Sequence, residues 1–296
     1  MRALFLLLLT LPLPAFAGIK VVTTVPDLAA ITAAIGGEHV DITPLSLPTQ
    51  DPHFVDARPS LALALSRADL LVAVGLDLEI GWLPVLQQGA RNARIQVGSR
   101  GYLDCSQFVM RLEVPGADLS RAQGDVHPGG NPHYLVDPRA ALAVASGIAT
   151  RLVELDPKHA ADYTAGLTAF QSDLLAAQVG WSEKLAGLSE RPMVAYHRSW
   201  PYLADWAGFS ITAYIEPKPG IPPSPSHLVS VLASIEREGV STIIQESYYP
   251  SGTAQQVADR SGTRLVVLPG GSDFAGGQSY IAHIDEIVTL LTSEAP

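Results

Sequence analysis

Short apolar runs rich in β-branched residues, alternating with helix-like stretches, are the feature that most limits what this chain can become. In the first half Ile19–Thr24, Val40–Leu45, Leu70–Val74 and Arg94–Val97 read as strands; in the second half Met193–Tyr196, Ser210–Tyr214, Thr242–Gln245 and Leu265–Leu268 do. Leu61–Arg67, Trp82–Gln88, Pro201–Ala207, Ser226–Arg237 and Thr253–Arg260 have helical character. Strands that are apolar throughout, rather than alternating, suit a parallel sheet, because helical crossovers cover both of its faces. The pattern predicts an α/β protein of two lobes, each a mostly parallel sheet flanked by helices.

The middle of the chain predicts how the lobes are held. Asp137-Pro138 and Asp156-Pro157 each mark a helix start, since aspartate caps the free amides and proline suits the first turn. After the second, Tyr163, Leu167, Phe170, Leu174, Leu175 and Val179 keep helical spacing, with no proline until Pro192. A helix of roughly 30 residues spans about 45 Å. That exceeds the need of one small lobe, so it reads as a rigid strut with a ligand cleft between the lobes. A break at Gly166 or Gly180 is the alternative. The expected division is a leader at 1–17, an N-terminal lobe at 18–155, a linking helix at 156–188 and a C-terminal lobe at 189–296.

The leader reads as a secretory signal peptide. Arg2 precedes the apolar run Leu4–Leu9, and Ala15-Phe16-Ala17 closes it, so cleavage is expected after Ala17. Gly18, not cysteine, stands immediately after that point, so the expectation is a periplasmic protein without a lipid anchor. Cys105 is the sole cysteine, which excludes an intrachain disulfide and a thiolate-rich metal cluster. With 47% hydrophobic and 16% charged residues the chain is not of the disordered class. A net charge of −10 offers nucleic acid no general attraction. Histidine and carboxylate are therefore the side chains left for metal work.

Four of the eight histidines sit in loop-like settings marked by proline or lying next to a strand. These are Asp51-Pro52-His53, His127-Pro128, Asn131-Pro132-His133 and Ala195-Tyr196-His197. The carboxyl ends of strands form the ligand-binding edge of open α/β sheets, and neutral imidazole is a preferred zinc ligand. His39, His159, His227 and His283 lie in helical or helix-flanking polar contexts and read as solvated.

The sequence resembles the periplasmic zinc- and manganese-binding proteins of ABC importers. Asp51-Pro52-His53, Asn131-Pro132-His133-Tyr134 with Asp137-Pro138, and Ala195-Tyr196-His197 with Tyr202 and Trp206 carry the resemblance. Ile243–Tyr249 and the strand Val266–Leu268 extend it through nearly the whole chain after the leader. It implies two α/β lobes, one rigid connecting helix and a metal buried between them. The implied ligands are His53 and His133 from the first lobe and His197 from the second. The family places an aspartate after the last core strand, but here Pro269 holds that position. Glu246, at a strand end, is the favoured fourth ligand because a strand holds a side chain more rigidly than a glycine loop. Its other role is to orient a histidine or Arg198. Asp273, within Gly270–Gly277, is the second candidate, with turn formation its ordinary role.

Three imidazoles and a carboxylate suit Zn2+, whereas manganese members of the family carry glutamate at the second-lobe histidine position; His197 thus tilts the reading from Mn2+ to Zn2+. The long histidine-rich loop of many zinc members is reduced here to Gly124-Asp125-Val126-His127-Pro128, where Asp125 and His127 read by default as loop residues, the alternatives being a weak outer site or groups that support the ligands from behind. The expected function is capture of Zn2+ by a monomer and delivery to the cognate ABC transporter permease, with no catalysis. A secreted zinc hydrolase is the competing class, with Glu246 as general base, although no His-Glu-x-x-His helix is present. A binder of an organic solute is a third, with Trp200, Trp206, Tyr248 and Tyr249 lining its cleft. The run Glu216–Pro225 reads as a stiff surface loop, a plain connector or an edge of the cleft.

Overall fold

A computed structural model describes residues 18–116 and 127–293. The expected leader and Asp125 lie outside the described residues. The first lobe contains β1 (Ile19–Thr23), α1 (Pro26–Gly36), β2 (Val40–Pro44), α2 (Pro59–Arg67), β3 (Leu70–Ala73), α3 (Leu83–Ala90) and β4 (Tyr102–Asp104). Its four strands are all parallel in the order β2-β1-β3-β4. After α4 (Pro138–Leu155) and α5 (Ala160–Leu185) comes the second lobe. It comprises β5 (Pro192–Ala195), α6 (Pro201–Ala207), β6 (Ser210–Tyr214), α7 (Pro225–Glu238), β7 (Thr242–Glu246), α8 (Gly252–Ser261), β8 (Arg264–Leu268) and α9 (Tyr280–Thr292). The second sheet is again parallel, in the order β6-β5-β7-β8. Every residue of the inner strand β3 is buried, as an apolar run covered on both faces requires.

One predicted strand is corrected. Ala93–Ile95 forms a single 3-10 turn, and the edge strand is β4, pairing Leu71 with Tyr102 and Val72 with Leu103. Asn92 decides this locally. Its Oδ1 accepts the amide of Arg94, and its Nδ2 donates to the carbonyls of Leu65 and Ala68. The turn still inserts Ile95 fully into the core, so the apolar signal was real while the backbone shape was not.

The long helix is unbroken through Gly166 and Gly180, with 26 α-helical residues and a 3-10 turn at each end. Gly166 serves close packing: a Cβ there would lie 2.4 Å from the Ile35 carbonyl oxygen on α1. Tyr163, Phe170, Leu174, Trp181 and Leu185 form the buried stripe of α5, each contributing about 1.5–3 kcal/mol by its burial. That stripe packs in one core with Leu28 and Ile31 of α1, Val144 and Ile148 of α4, and Ile284 and Val288 of α9. Trp181 also donates to Asp285 on α9 at 3.0 Å. The helix is thus both strut and shared core, binding the lobes to one scaffold. No helix among the described residues is long and apolar enough to cross a membrane.

Candidate metal centre

In each sheet the connections reverse direction beside one central strand, opening a crevice at the carboxyl ends where α/β sheets bind ligands. His197 follows β5 and Glu246 ends β7, the two strands flanking that point in the second lobe. His53 arrives from the loop after β2, and His133 from the loop before α4.

Short side-chain contacts fix each imidazole. Asp51 Oδ1 accepts both the His53 amide, at 2.9 Å, and His53 Nδ1, at 2.7 Å. Trp82 donates to the Pro52 carbonyl at 2.9 Å, holding the same turn from below. Asn131 Oδ1 accepts the His133 amide at 2.9 Å, an Asx turn that proline in between helps to set. His197 Nδ1 lies 2.5 Å from Glu216 Oε2. Carboxylates on Nδ1 keep the proton there, so the Nε2 lone pairs of His53 and His197 are free for a cation.

His53, His133 and His197 meet between the lobes, each with one ligand nitrogen within 4.8 Å of the others. His53 and His197 are buried, and the Nε2 of His133 is buried without a hydrogen-bond partner. Burial and the neighbouring imidazoles hold the pKa of His133 well below the ordinary histidine value. Burial also pulls His197 down, but the hydrogen bond to Glu216 and the charge of Glu246 outweigh it and raise its pKa. The lobes are tied across the site: Tyr249 donates to Asp51 at 3.2 Å, and the Asn131 amide donates to the Arg198 carbonyl at 2.7 Å.

Glu246 is not part of the set within 4.8 Å, although its charge acts on His197. It lines a small inner cavity of about 60 Å³ together with His133, Ser199, Trp200, Tyr248 and His283. Both carboxylate oxygens are buried without a hydrogen bond; the Ser199 hydroxyl is near enough to favour their charge but outside bonding geometry. Burial pushes the carboxyl up to about 7, only partly offset by His197. At pH 8 the carboxylate is charged in both states, but the metal-free fold holds it poorly solvated while the unfolded chain, with its carboxyl near 4.3, hydrates it fully. Glu246→Gln is expected to raise the melting temperature of the metal-free protein at pH 8, on the order of 2–6 °C by calorimetry. An unchanged or lower value would show that the carboxylate is already compensated. Asp273 is exposed and accepts the Gly276 amide at 3.0 Å, the role of a turn residue.

The other expectations divide. His39 pairs with Asp162 and His159 with Asp156 near the surface, while His227 Nε2 lies 3.0 Å from the Tyr214 carbonyl. His283 is not solvated: it is 2% exposed on the inner face of α9, 3.6 Å from Asp27, because that face packs against α1. Trp206 packs against Trp181 in the core, Tyr249 lies beside His197, and the 60 Å³ inner cavity bordered by Trp200 and Tyr248 is too small for an organic solute. Pro217–Pro219, from the proline-rich loop, edges an outer cavity of about 320 Å³ with His127, His133 and His197. His127, read from sequence as a loop residue, lies with its Nε2 3.2 Å from that of His53. Burial and the charge of His53 lower its pKa to about 4.

Two parallel-sheet lobes on one long helix, with three imidazoles converging between them, define a two-lobed metal-binding protein. The comparisons with known proteins make the assignment narrower. The chain belongs to the ZnuA family, described as zinc-uptake complex component A, periplasmic, whose profile matches residues 21–294. It is 24% identical to the high-affinity zinc uptake system protein ZnuA of Paracoccus denitrificans, over 93% of this chain and 91% of that one. It is 26% identical to the manganese ABC transporter substrate-binding lipoprotein scaA of Streptococcus gordonii, over 77% and 72%. With two other streptococcal relatives the match spans about half of their length. A crystal structure of ZnuA shares the fold at a TM-score of 0.77 and 22% identity, covering 93% of this chain and 98% of that one.

Proposed function

We propose that this protein captures a divalent transition metal in the periplasm, Zn2+ in preference to Mn2+, and passes it to the permease of an ABC importer. In this reading it acts as a soluble, unanchored monomer and catalyses nothing. The supporting observation is the convergence of His53, His133 and His197 from two lobes, two with carboxylate-held tautomers and the third with an unpartnered Nε2. Nitrogen donors suit zinc better than manganese, which prefers oxygen. Glu246, the fourth ligand expected from sequence, lines the inner cavity that His133 also borders. Relatives named for both zinc and manganese transport support the transport role and leave the choice of metal to the donor set.

The test is metal content and competition. Protein stripped of metal and titrated should take up one Zn2+ per chain and keep it against excess Mn2+. Absence of bound metal after zinc addition would end this reading.

Acid should weaken binding. Proton and metal compete for each ligating imidazole, and the upward shift of His197 strengthens the proton's side as pH falls. Zinc affinity is therefore expected to drop by about tenfold per pH unit for each displaced proton. Affinity measured by chelator competition that stays flat between pH 7.5 and pH 5 would contradict imidazole ligation.

A further inference from the structure

We infer that His127 is the fourth ligand of this centre, reaching the three clustered imidazoles from the side of the outer cavity. The inference rests on the reading of His53, His133 and His197 as a metal site, and it concerns which side chain completes that site.

Distance is the first argument. The Nε2 atoms of His53 and His127 are 3.2 Å apart. Two nitrogens bound to one tetrahedral zinc at 2.0–2.1 Å are separated by about 3.3–3.4 Å, the edge of the tetrahedron. The ring nitrogens of His53, His133 and His197 form a set within 4.8 Å of one another that does not include His127, so completing the shell takes a swing of the His127 ring from His53 toward the other two.

Tautomers are the second. Asp51 accepts from Nδ1 of His53, which leaves a lone pair on its Nε2. The backbone of Leu76 lies near enough to the His127 ring to favour its protonated form, though outside strict hydrogen-bonding geometry. With Nε2 of His127 turned to His53, Nδ1 is the ring nitrogen left to face that backbone. In the tautomer with the proton on Nδ1 of His127, two Nε2 lone pairs face each other at 3.2 Å, an arrangement that a cation between them stabilises.

Position is the third. His127 is half-buried and lines the outer cavity with His133 and His197. Its backbone is set by a turn in which the Gly130 amide donates to the His127 carbonyl at 3.1 Å. Asn131, next in the chain, is held by Leu112 through its amide and by Arg198 through its side chain. One strap thus carries both His127 and His133 across the mouth between the lobes. The two acids considered from sequence are placed otherwise: Asp273 caps a surface turn, and Glu246 faces the inner cavity.

A centre with four neutral nitrogens selects zinc, nickel or copper over manganese more sharply than one with a carboxylate. The ion's charge is then balanced by Asp51, Glu216 and Glu246 around the imidazoles rather than by a directly bound oxygen.

Cobalt is the probe. The full-length protein loaded with Co2+ should show the intense visible bands of a tetrahedral ion. In His127→Ala those bands should weaken, and zinc affinity should fall by more than the ~100-fold that loss of a supporting hydrogen bond costs. Imidazole added to this variant should restore the bands, a rescue that a merely structural role for His127 does not predict. Bands and affinity within twofold of the unmodified protein would overturn the inference. So would loss of the tetrahedral bands in Glu246→Gln with their retention in His127→Ala. An unmodified protein that binds neither cobalt nor zinc refutes the metal-site reading itself, before any variant is compared.

Discussion

Replacing His133 by alanine is expected to empty the site while leaving the fold intact. Its Nε2 is buried and makes no hydrogen bond within the protein, so removing the ring leaves no partner unsatisfied. The turn that carries it survives, because Asn131 holds the main-chain amide of residue 133 rather than the ring. Zinc, in contrast, loses one of the nitrogens that meet between the lobes. Affinity should fall by more than the ~100-fold attributed to second-sphere losses. Chelator competition measures this directly, and the melting temperature of the metal-free variant should stay within a few degrees of the parent. Binding retained within tenfold would mean that His133 lines the site without touching the ion.

Glu216→Gln should cost about 10- to 100-fold in zinc affinity although the change removes only a charge and alters no ligand. The reason is that both carboxylate oxygens are used as acceptors. Oε2 meets His197 Nδ1 at 2.5 Å, and Oε1 accepts the Gly220 amide at 2.9 Å. Glutamine has one accepting oxygen and one donating amide. If the oxygen stays on His197, the Gly220 amide faces a donor and the proline-rich turn at the cavity edge is released. If the oxygen turns to Gly220, the amide donates to His197 and moves the ring proton to Nε2, the atom that should bind metal. Either way, zinc release quickens or Gly220 amide exchange does. Unchanged affinity together with unchanged exchange would show that Glu216 is only a packing group.

The three histidines of the cluster were legible in the sequence because each carries a local marker and the family resemblance singles them out among the four so marked. Asp51-Pro52 and Asn131-Pro132 predict rigid turns, and the apolar run before His197 predicts a strand end. His127 has the same proline neighbour but also two glycines after it, the composition of an ordinary surface loop. Nothing local shows that its ring returns to within 3.2 Å of one 74 residues earlier. Arg94–Val97 was misread for the opposite reason. Its composition suits a strand, but Asn92 makes contacts 24 and 27 residues away that bend the chain into a turn. His283 fails likewise: its polar sequence neighbours are real, yet α9 turns it toward Asp27 on the other lobe.

By itself the sequence determined the two parallel-sheet lobes and the helical segment between them, because periodicity, proline placement and strand ends act over a few residues; His53, His133 and His197 were singled out by the family resemblance. Only the tertiary structure decided what surrounds those imidazoles. Asp51 beside His53 is a local pairing, but Glu216 reaches His197 from 19 residues away, Tyr249 reaches Asp51 from 198, and Glu246 is left facing an inner cavity. Those contacts depend on how the lobes close around α5, and closure is fixed by the core shared among α1, α4, α5 and α9. Local preference specifies the elements; burial of that common core brings the carboxylates and imidazoles within hydrogen-bonding distance.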